Sequence, residues 1–589
     1  MTHVSTGFKT DSKIISKLFF RLLPVQILFV AIGSVNSVID SVVASNVIGM
    51  EAMTVIGLFG PYMQFLETLN LVLLSGAQIL CGQFLGKNQL ERTSNIFSLD
   101  LFVMSCISIV LSLVCMFDPS FVAGILHGNI AGLSDYIKGM SFGILPTLLN
   151  SQLSAFLQLE QKQKRIYIGM GIMMASNFIL DFVFVKYLNM GLFGLGLSSS
   201  ISATLFFLIL VSWYFKKKCI LKFGFKRIIW SDFPSIISIG IPGAICSLCL
   251  SIRGVIVNIL LMKFSGEVGV AALSALNTYG ALLFAVTSGV ASATRLLVSV
   301  FYGEEDRASL VLVMKTALIK GLLLLVLVSS LVFIFSGLLT GTIYRDPSTE
   351  VYSLTLSLFR IYAFAIPISG LSVIFTNYFQ SISRMRMVHI LSVMDGLLGM
   401  ALSSLVLAPV FGAVGVWISF VLNNVYTTIA IVLYAHIHNH RFPRCIEDLL
   451  ALPDSFGVPE DRRLDITIHN AEEVSDTARL VIDFCANRGI DRRRAYYAGL
   501  CLEEMASNIV EHGFGGKKSH SIDVRVVHKA DQLMLRIKDD CRAFNPEEKM
   551  KLIDPDDVTH NIGLRMVHSL AKETFYSNVL GLNIFTMTI

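Results

Sequence analysis

Much of the first half of this 589-residue chain returns about 218 residues later, inside stretches that are themselves apolar. Pro24 and Asp40 have counterparts at Pro242 and Asn258. The run from Gln78 to Gly86 aligns with Arg295 to Gly303, Phe156–Gln158 with Tyr378–Gln380, and Phe193-Gly194 with Phe411-Gly412. Apolar segments duplicated in this way specify a membrane domain of two similar halves with a pathway between them. The pattern stops near residue 440.

From Arg441 onward there are 20 Lys and Arg and 24 Asp and Glu, against 27 and 18 in the first 440 residues. The 15% charged residues of the whole are therefore concentrated in the last quarter, which reads as a water-soluble domain of ordinary size. A helix needs roughly 20 apolar residues to cross the hydrocarbon core. Twelve such stretches are predicted, near 18–46, 52–82, 93–117, 133–159, 166–188, 192–215, 234–262, 268–300, 310–339, 350–380, 385–409 and 411–435. The expected fold is an all-α polytopic membrane protein followed by a C-terminal α+β sandwich. Its parts are a tail (1–13), an N-lobe (14–215), an inter-lobe loop (216–233), a C-lobe (234–436), a linker (437–461) and the soluble domain (462–589).

Basic residues mark alternate loops: Lys9, Lys13 and Lys17; Lys87 and Arg92; Lys162, Lys164 and Arg165; Lys216 to Arg227; Arg384 and Arg386. Positive loops stay inside, so both termini are expected in the cytoplasm, with the chain in the plasma membrane of a bacterium. Met1 to Lys17 is polar, and no cleavable signal is expected. Cys485, Cys501 and Cys541 fall on the cytosolic side, where disulfides are rare. Cys246 and Cys249 read as small packing residues of a helix rather than a redox pair.

An ionisable side chain inside a span is costly unless hydrated or paired, so each one is a candidate site. Asp40 lies in the first span and Asp181 in the fifth, with Asn177 four residues before it on the same helix face. Two carboxylates and an amide oxygen in one cavity can bind Na+ or hold a proton; alternatively they only fasten helices together. Glu67, Asp100, Arg253, Arg295 and Asp395 are weaker candidates, Arg253 and Asp395 as a pair. His436, His438 and His440 read as interfacial residues at the end of the last span.

The stretches Asn177-x-x-x-Asp181 with Gly191 to Gly196, Gly76 to Gly86, and Val38 to Ser41 together resemble the multidrug and toxic compound extrusion (MATE) family, over about residues 14–436. The resemblance implies two six-helix lobes, alternating access, and export of organic, often cationic, small molecules against inward Na+ or H+. It implies Asp40, Asn177 and Asp181 as the cation site of the N-lobe, with Ser199 about where the family has a hydroxyl ligand. Some members use an acidic residue in the seventh helix as a second-lobe ligand. Here that helix offers Arg253 and Asn258 instead, so coupling through the first lobe alone is expected.

In the soluble part, alternating runs predict strands near 464–468, 521–528, 532–538, 573–578 and 582–589. Helices are expected near 471–488, 491–512 and 546–552 and from about 562, and the order suggests a mixed sheet with helices on one face. Glu504, Asn508 and Glu511/His512 recur at helical spacing, a set suited to Mg2+ and phosphate chemistry. An aspartate ending a strand (Asp539) can accept an adenine amino group, and Gly563 before a helix frees backbone N–H groups for phosphates.

These three blocks resemble the N-box and two glycine boxes of the GHKL (Bergerat-fold) ATPases, with the anti-sigma-factor serine kinases as the nearest likeness, over about 462–589. The resemblance implies ATP and Mg2+, with Glu504 as base and Asn508 on the metal. His512, Asp539, Phe544, Gly563 and Leu564 would complete the nucleotide site. Cys541 and Asn561 stand where that family has glycine. The run Gly513 to Ser519 has the wrong spacing for a P-loop and follows a helix, so it reads as a loop.

The leading expectation is a cation-coupled exporter regulated by a cytosolic ATP-binding domain, in contact with lipid, a small organic cation and a regulatory protein partner, but with no nucleic acid. Two alternatives stand beside it. One is a membrane sensor whose C-terminal domain is a serine kinase or anti-sigma-like regulator. The other is a flippase for a lipid-linked glycan.

Overall fold

The computed structural model describes residues 12–43, 50–87, 89–125, 132–160, 162–216, 219–453, 456–515, 520–529, 532–542, 544–546, 562–579 and 581–589. Within the first helix the side chains from residue 32 onward, Asp40 included, lie outside the described residues, as do Asn561 and nearly all of the helix expected at 546–552.

The first half consists of α1 (Ser12–Val43), α2 (Met50–Gly86), α3 (Leu90–Phe117), the short α4 (Pro119–Ile125), α5 (Leu133–Leu159), α6 (Gln163–Asp181) and α7 (Gly191–Val211). The second half opens with α8 (Phe233–Gly303), a run of 71 residues that holds two of the expected spans. The chain reverses between them at Gly266, whose φ of 62° belongs to the left-handed region that glycine enters without steric cost. Then come α9 (Arg307–Thr316), α10 (Leu322–Ile334), α11 (Ser336–Ile343), α12 (Glu350–Ser381), α13 (Met385–Val393), α14 (Gly399–Phe411) and α15 (Ala413–Asn439). Short π-helical stretches continue α6 (Phe182–Tyr187), join α9 to α10 and join α13 to α14 (Met394–Leu398).

Ten described helices are long and apolar enough to cross a bilayer. α5 is not among them, and half of α1 lies outside the described side chains. The α5 helix buries Asn150, Gln152, Ser154 and Gln158 along one side, which lowers its hydropathy while suiting it to the interior of a lobe.

The short α16 (Ile446–Leu449) leads to the C-terminal domain: β1 (Arg463–Ile468), α17 (Glu472–Asn487), α18 (Arg492–Asn508), β2 (Ile522–Lys529), β3 (Gln532–Asp539), α19 (Ile562–Leu570), β4 (Glu573–Val579) and β5 (Leu582–Thr588). The strand order is β1-β2-β3-β5-β4. Every pairing is antiparallel, which corrects the expectation of a mixed sheet. Two helices, not one, separate β1 from β2, so the chain re-enters at the end it left. The connection that includes α19 does make β3 and β4 run the same way, but β5 lies between them.

Sheet periodicity divides the strands cleanly. Val524, Val526, Leu535, Ile537, Phe585 and Met587 face α17, α18 and α19 and form this domain's core with Leu502 and Met505. Leu582 and Ile584 point the other way and join the core of the membrane half.

Candidate functional sites

In the first half, Asn177 and Asp181 lie one turn apart on α6, and Ser198 and Ser199 on α7 face them. Ser198 Oγ donates to Asp181 Oδ1, and Asn177 Nδ2 donates to Ser199 Oγ at 3.2 Å. Asp181, Asn177 and Ser198 are buried, and Asn177 Oδ1 has no hydrogen-bond partner among the described residues. A buried amide oxygen left unpaired beside a carboxylate and two hydroxyls is a set of hard oxygen donors, the ligand type that suits Na+ or a proton. The structure thus brings together Asn177, Asp181 and Ser199 and adds Ser198, which sequence reasoning missed. The signal was present, since Ser198 to Ser200 is a serine run at the expected hydroxyl position.

The second half carries a different cluster. Arg253 of α8 donates to the backbone carbonyl of Asp395 at 3.2 Å, and Asn423 of α15 donates to the Asp395 carboxylate at 2.8 Å. Asp395 lies one repeat length after Asn177. Where the first half gathers oxygen donors, the second holds a guanidinium of its own. Among the other sequence candidates, Asp100 of α3 is buried with neither carboxyl oxygen hydrogen-bonded among the described residues, while Glu67 of α2 is exposed. Cys249 packs on Gly396, where an added Cβ would lie 2.7 Å from its own, so the Cys246/Cys249 pair acts as packing.

In the C-terminal domain, Asp491 caps α18 through the amides of Arg493 and Arg494. That helix carries Glu504 and Asn508, and Asn508 Nδ2 donates to Glu504 Oε1 at 3.1 Å. The first turn of α19 lies directly over this pair: a Cβ on Gly563 would fall 1.6 Å from Glu504 Oε1, so any side chain there would displace the Glu504 carboxylate. The helix widens to a π-turn at Ile509–Gly513, and Glu511 and His512 are exposed in it. Phe544 is exposed, while Leu564 is buried. Asp539 is buried at the end of β3, where Oδ1 accepts from Asn583 Nδ2 at 2.8 Å and from the Cys541 amide at 2.9 Å. Burial raises its carboxyl above the usual range, although those donors oppose the shift.

The outer face of this sheet meets the membrane half. Arg525 of β2 and Arg536 of β3 stand directly opposite each other, and like charges so placed repel. Acids on the turn between α8 and α9 compensate. Asp306 lies 2.7 Å from Arg525, and Glu304 lies 2.9 Å from Lys538 and 3.4 Å from Arg536. Asp465 of β1 completes the set at 2.6 Å from Arg525. Burial alone would raise Asp306, but Arg525 and Lys538 outweigh it and hold the carboxyl well below the usual range. A second contact reaches the other half: Lys17 of α1 lies 2.6 Å from Asp540, which also bonds His520.

On this same side the two halves touch backbone to backbone. A Cβ on Gly76 would lie 2.1 Å from the Ile236 carbonyl oxygen, and one on Gly86 would lie 2.1 Å from that of Val300. The glycines of the α2 signature are therefore a seam between α2 and α8, and the seam is closed on the side that carries the C-terminal domain.

A family profile described as MatE matches residues 27–183 and 242–405, more than half of the chain. One described as a histidine kinase-like ATPase domain matches residues 469–589. No curated protein matches the chain. Among solved structures, the chain resembles a multidrug resistance MATE family transporter of the MOP superfamily in its outward-facing conformation. The identity is 18%, the coverage 74% of this chain and 100% of that one, and the TM-score 0.66. A MOP superfamily transporter from Pyrococcus furiosus is similar at 18% identity, 73% and 98% coverage and TM-score 0.66. A mutant of a Vibrio cholerae MATE transporter gives 13% identity, 73% and 98% coverage and TM-score 0.65.

Proposed function

The chain belongs to the MatE family, and from that premise we propose that it exports small organic cations in exchange for Na+ or H+ under control of its C-terminal nucleotide domain. The cluster of Asn177, Asp181, Ser198 and Ser199, completed by Asp40, takes up the coupling ion in the N-lobe. Arg253 beside Asp395 supports coupling through that lobe alone, because a guanidinium held on the Asp395 backbone carbonyl already brings positive charge to the other.

One observation carries the regulatory part. The C-terminal domain grips both halves at once, α1 through Lys17 and the α8–α9 turn through Glu304 and Asp306, on the side where the glycine seam is closed. A domain so attached biases alternating access whenever its grip depends on a ligand, and about 1.4 kcal/mol of differential binding shifts the balance tenfold. The side chains that α18, α19 and the end of β3 bring together suit an adenine nucleotide: Asp539 would take the adenine amino group, Asn508 would hold Mg2+, Glu504 would orient water, and the Gly563 turn would offer amides to phosphate. Mg2+ would supply charge neutralisation for the phosphates when bound.

The test is efflux from proteoliposomes under separately imposed Na+, H+ and ATP gradients. Asp40→Asn or Asp181→Asn abolishes ion-driven export, and Glu504→Gln changes only its response to ATP. Export that survives both aspartate changes refutes the coupling assignment.

A further inference from the structure

A groove of about 800 Å³ lies outside both sites, between α3, α5, α7 and the chain that leaves α7. That volume is in the range of pockets that hold a whole small ligand. Phe97 and Leu101 of α3, Leu153 of α5 and Phe207 of α7 line it, and Lys216 and Lys222 stand at its end. The same helices expose Ile109, Val110, Leu205 and Leu208, so this side of the lobe faces hydrocarbon. An apolar space open to a bilayer fills with acyl chain rather than water.

The roof of the groove is fixed. The Leu221 amide donates to Glu160 at 2.8 Å, and Ser94 and Ser98 hold the backbone of Lys222 and Gly224. Trp213 donates to Glu160 and receives Lys162 4.4 Å above its ring, with Arg165 and Lys216 also near it. An indole wedged among cations in this way marks the interfacial depth of a membrane. Glu160, the carboxylate here, is buried and already engaged by Trp213 and Leu221, so the mouth of the groove keeps its positive charge.

We propose that the groove holds one anionic phospholipid from the leaflet on the C-terminal domain's side, its acyl chain between α3 and α7 and its phosphate on Lys216 and Lys222. Acyl chains alone would select no headgroup; the two lysines do. At about 1 kcal/mol each, they favour an anionic over a zwitterionic lipid roughly 30-fold.

The full chain is placed in nanodiscs of mixed phosphatidylglycerol and phosphatidylcholine, and the lipid that survives delipidation is identified by native mass spectrometry. One phosphatidylglycerol per chain is expected. Lys216→Gln with Lys222→Gln returns the retained lipid to the bulk ratio, whereas Lys226→Gln in the same loop leaves the enrichment in place. Ser105→Phe, which fills the groove, removes the retained lipid with the lysines intact and reports independently if the lysine variant folds poorly. Retained lipid of bulk composition in the native protein, or equal loss with Lys226→Gln, overturns the site in favour of diffuse attraction to a basic loop.

Discussion

Lys17 of α1 donates to Asp540 at 2.6 Å, and Asp540 directly follows the buried Asp539 at the end of β3. The helix bearing Asp40 and the strand end that would read adenine are thus joined through one ion pair and one peptide bond. Lys17 is 59% exposed at its side chain, so the pair itself stabilises little, about 0–1 kcal/mol. Lys17→Ala is therefore expected to leave the melting temperature, ATP affinity and transport without ATP almost unchanged, and to remove the ATP dependence of transport. Efflux measured at several ATP concentrations checks this; a full ATP response in the variant breaks the proposed link.

The Asp306–Arg525 contact is of a different kind, because both side chains are nearly buried. Removing one partner of such a pair costs about 3–5 kcal/mol, toward the lower end here since Arg525 keeps Asp465. Asp306→Ala is expected to undock the domain, seen as faster hydrogen exchange in the α8–α9 turn and in β2–β3. The sign of the pH effect follows from the depressed carboxyl. Its contribution is complete above the ordinary carboxylate pKa and is lost only as pH falls through the lower docked value. Docking should hold between about pH 8 and 5 and release only in stronger acid. Release on mild acidification would contradict the assignment.

Asp539 behaves oppositely. Burial raises its carboxyl, Asn583 and the Cys541 amide notwithstanding. It must be ionised to accept from an adenine amino group, so protonation ends binding at a higher pH than for an ordinary aspartate. Nucleotide affinity is expected to start falling on acidification while most carboxylates are still charged. Asp539→Asn is expected to lower affinity at least about tenfold at neutral pH, by loss of a charge-assisted hydrogen bond. Calorimetric titration with ATP across pH is the measurement; an affinity flat down to about pH 4 would sink the role.

These contacts show where sequence reasoning reaches and where it stops. Strands β2 and β3 were legible because Ile522 to Lys529 and Gln532 to Asp539 alternate with period two around a short turn. Asn177 and Asp181 were legible because four residues is one helical turn. The docking face was not, because the partners lie more than two hundred residues apart: Arg525 finds Asp306, and Lys538 finds Glu304. A trace was there all the same. The turn after Gly303 is acidic, where its repeat counterpart after Gly86 begins with Lys87. The π-turn that exposes His512 left no sequence signal, since a widened turn changes hydrogen bonding and not residue type. Asp40, on which the cation site was chiefly expected to rest, lies outside the described side chains.

Arg253 and Asp395 separate an ion site from a built-in substitute for one. If the guanidinium, which bonds the Asp395 backbone carbonyl, neutralises the nearby carboxylate, then Arg253→Met strands that carboxylate among α8, α14 and α15 with its hydrogen bond from Asn423. The expected loss is about 3–5 kcal/mol of stability. Changing Asp395→Leu as well removes the stranded charge and should recover most of that loss, which a double-mutant cycle on melting in detergent measures directly. Transport in the double variant should keep its original ion requirement if, as proposed, the coupling carboxylates are those of the other half. A double variant no more stable than Arg253→Met alone would mean that the two side chains are independent. The second half would then need another account of its arginine.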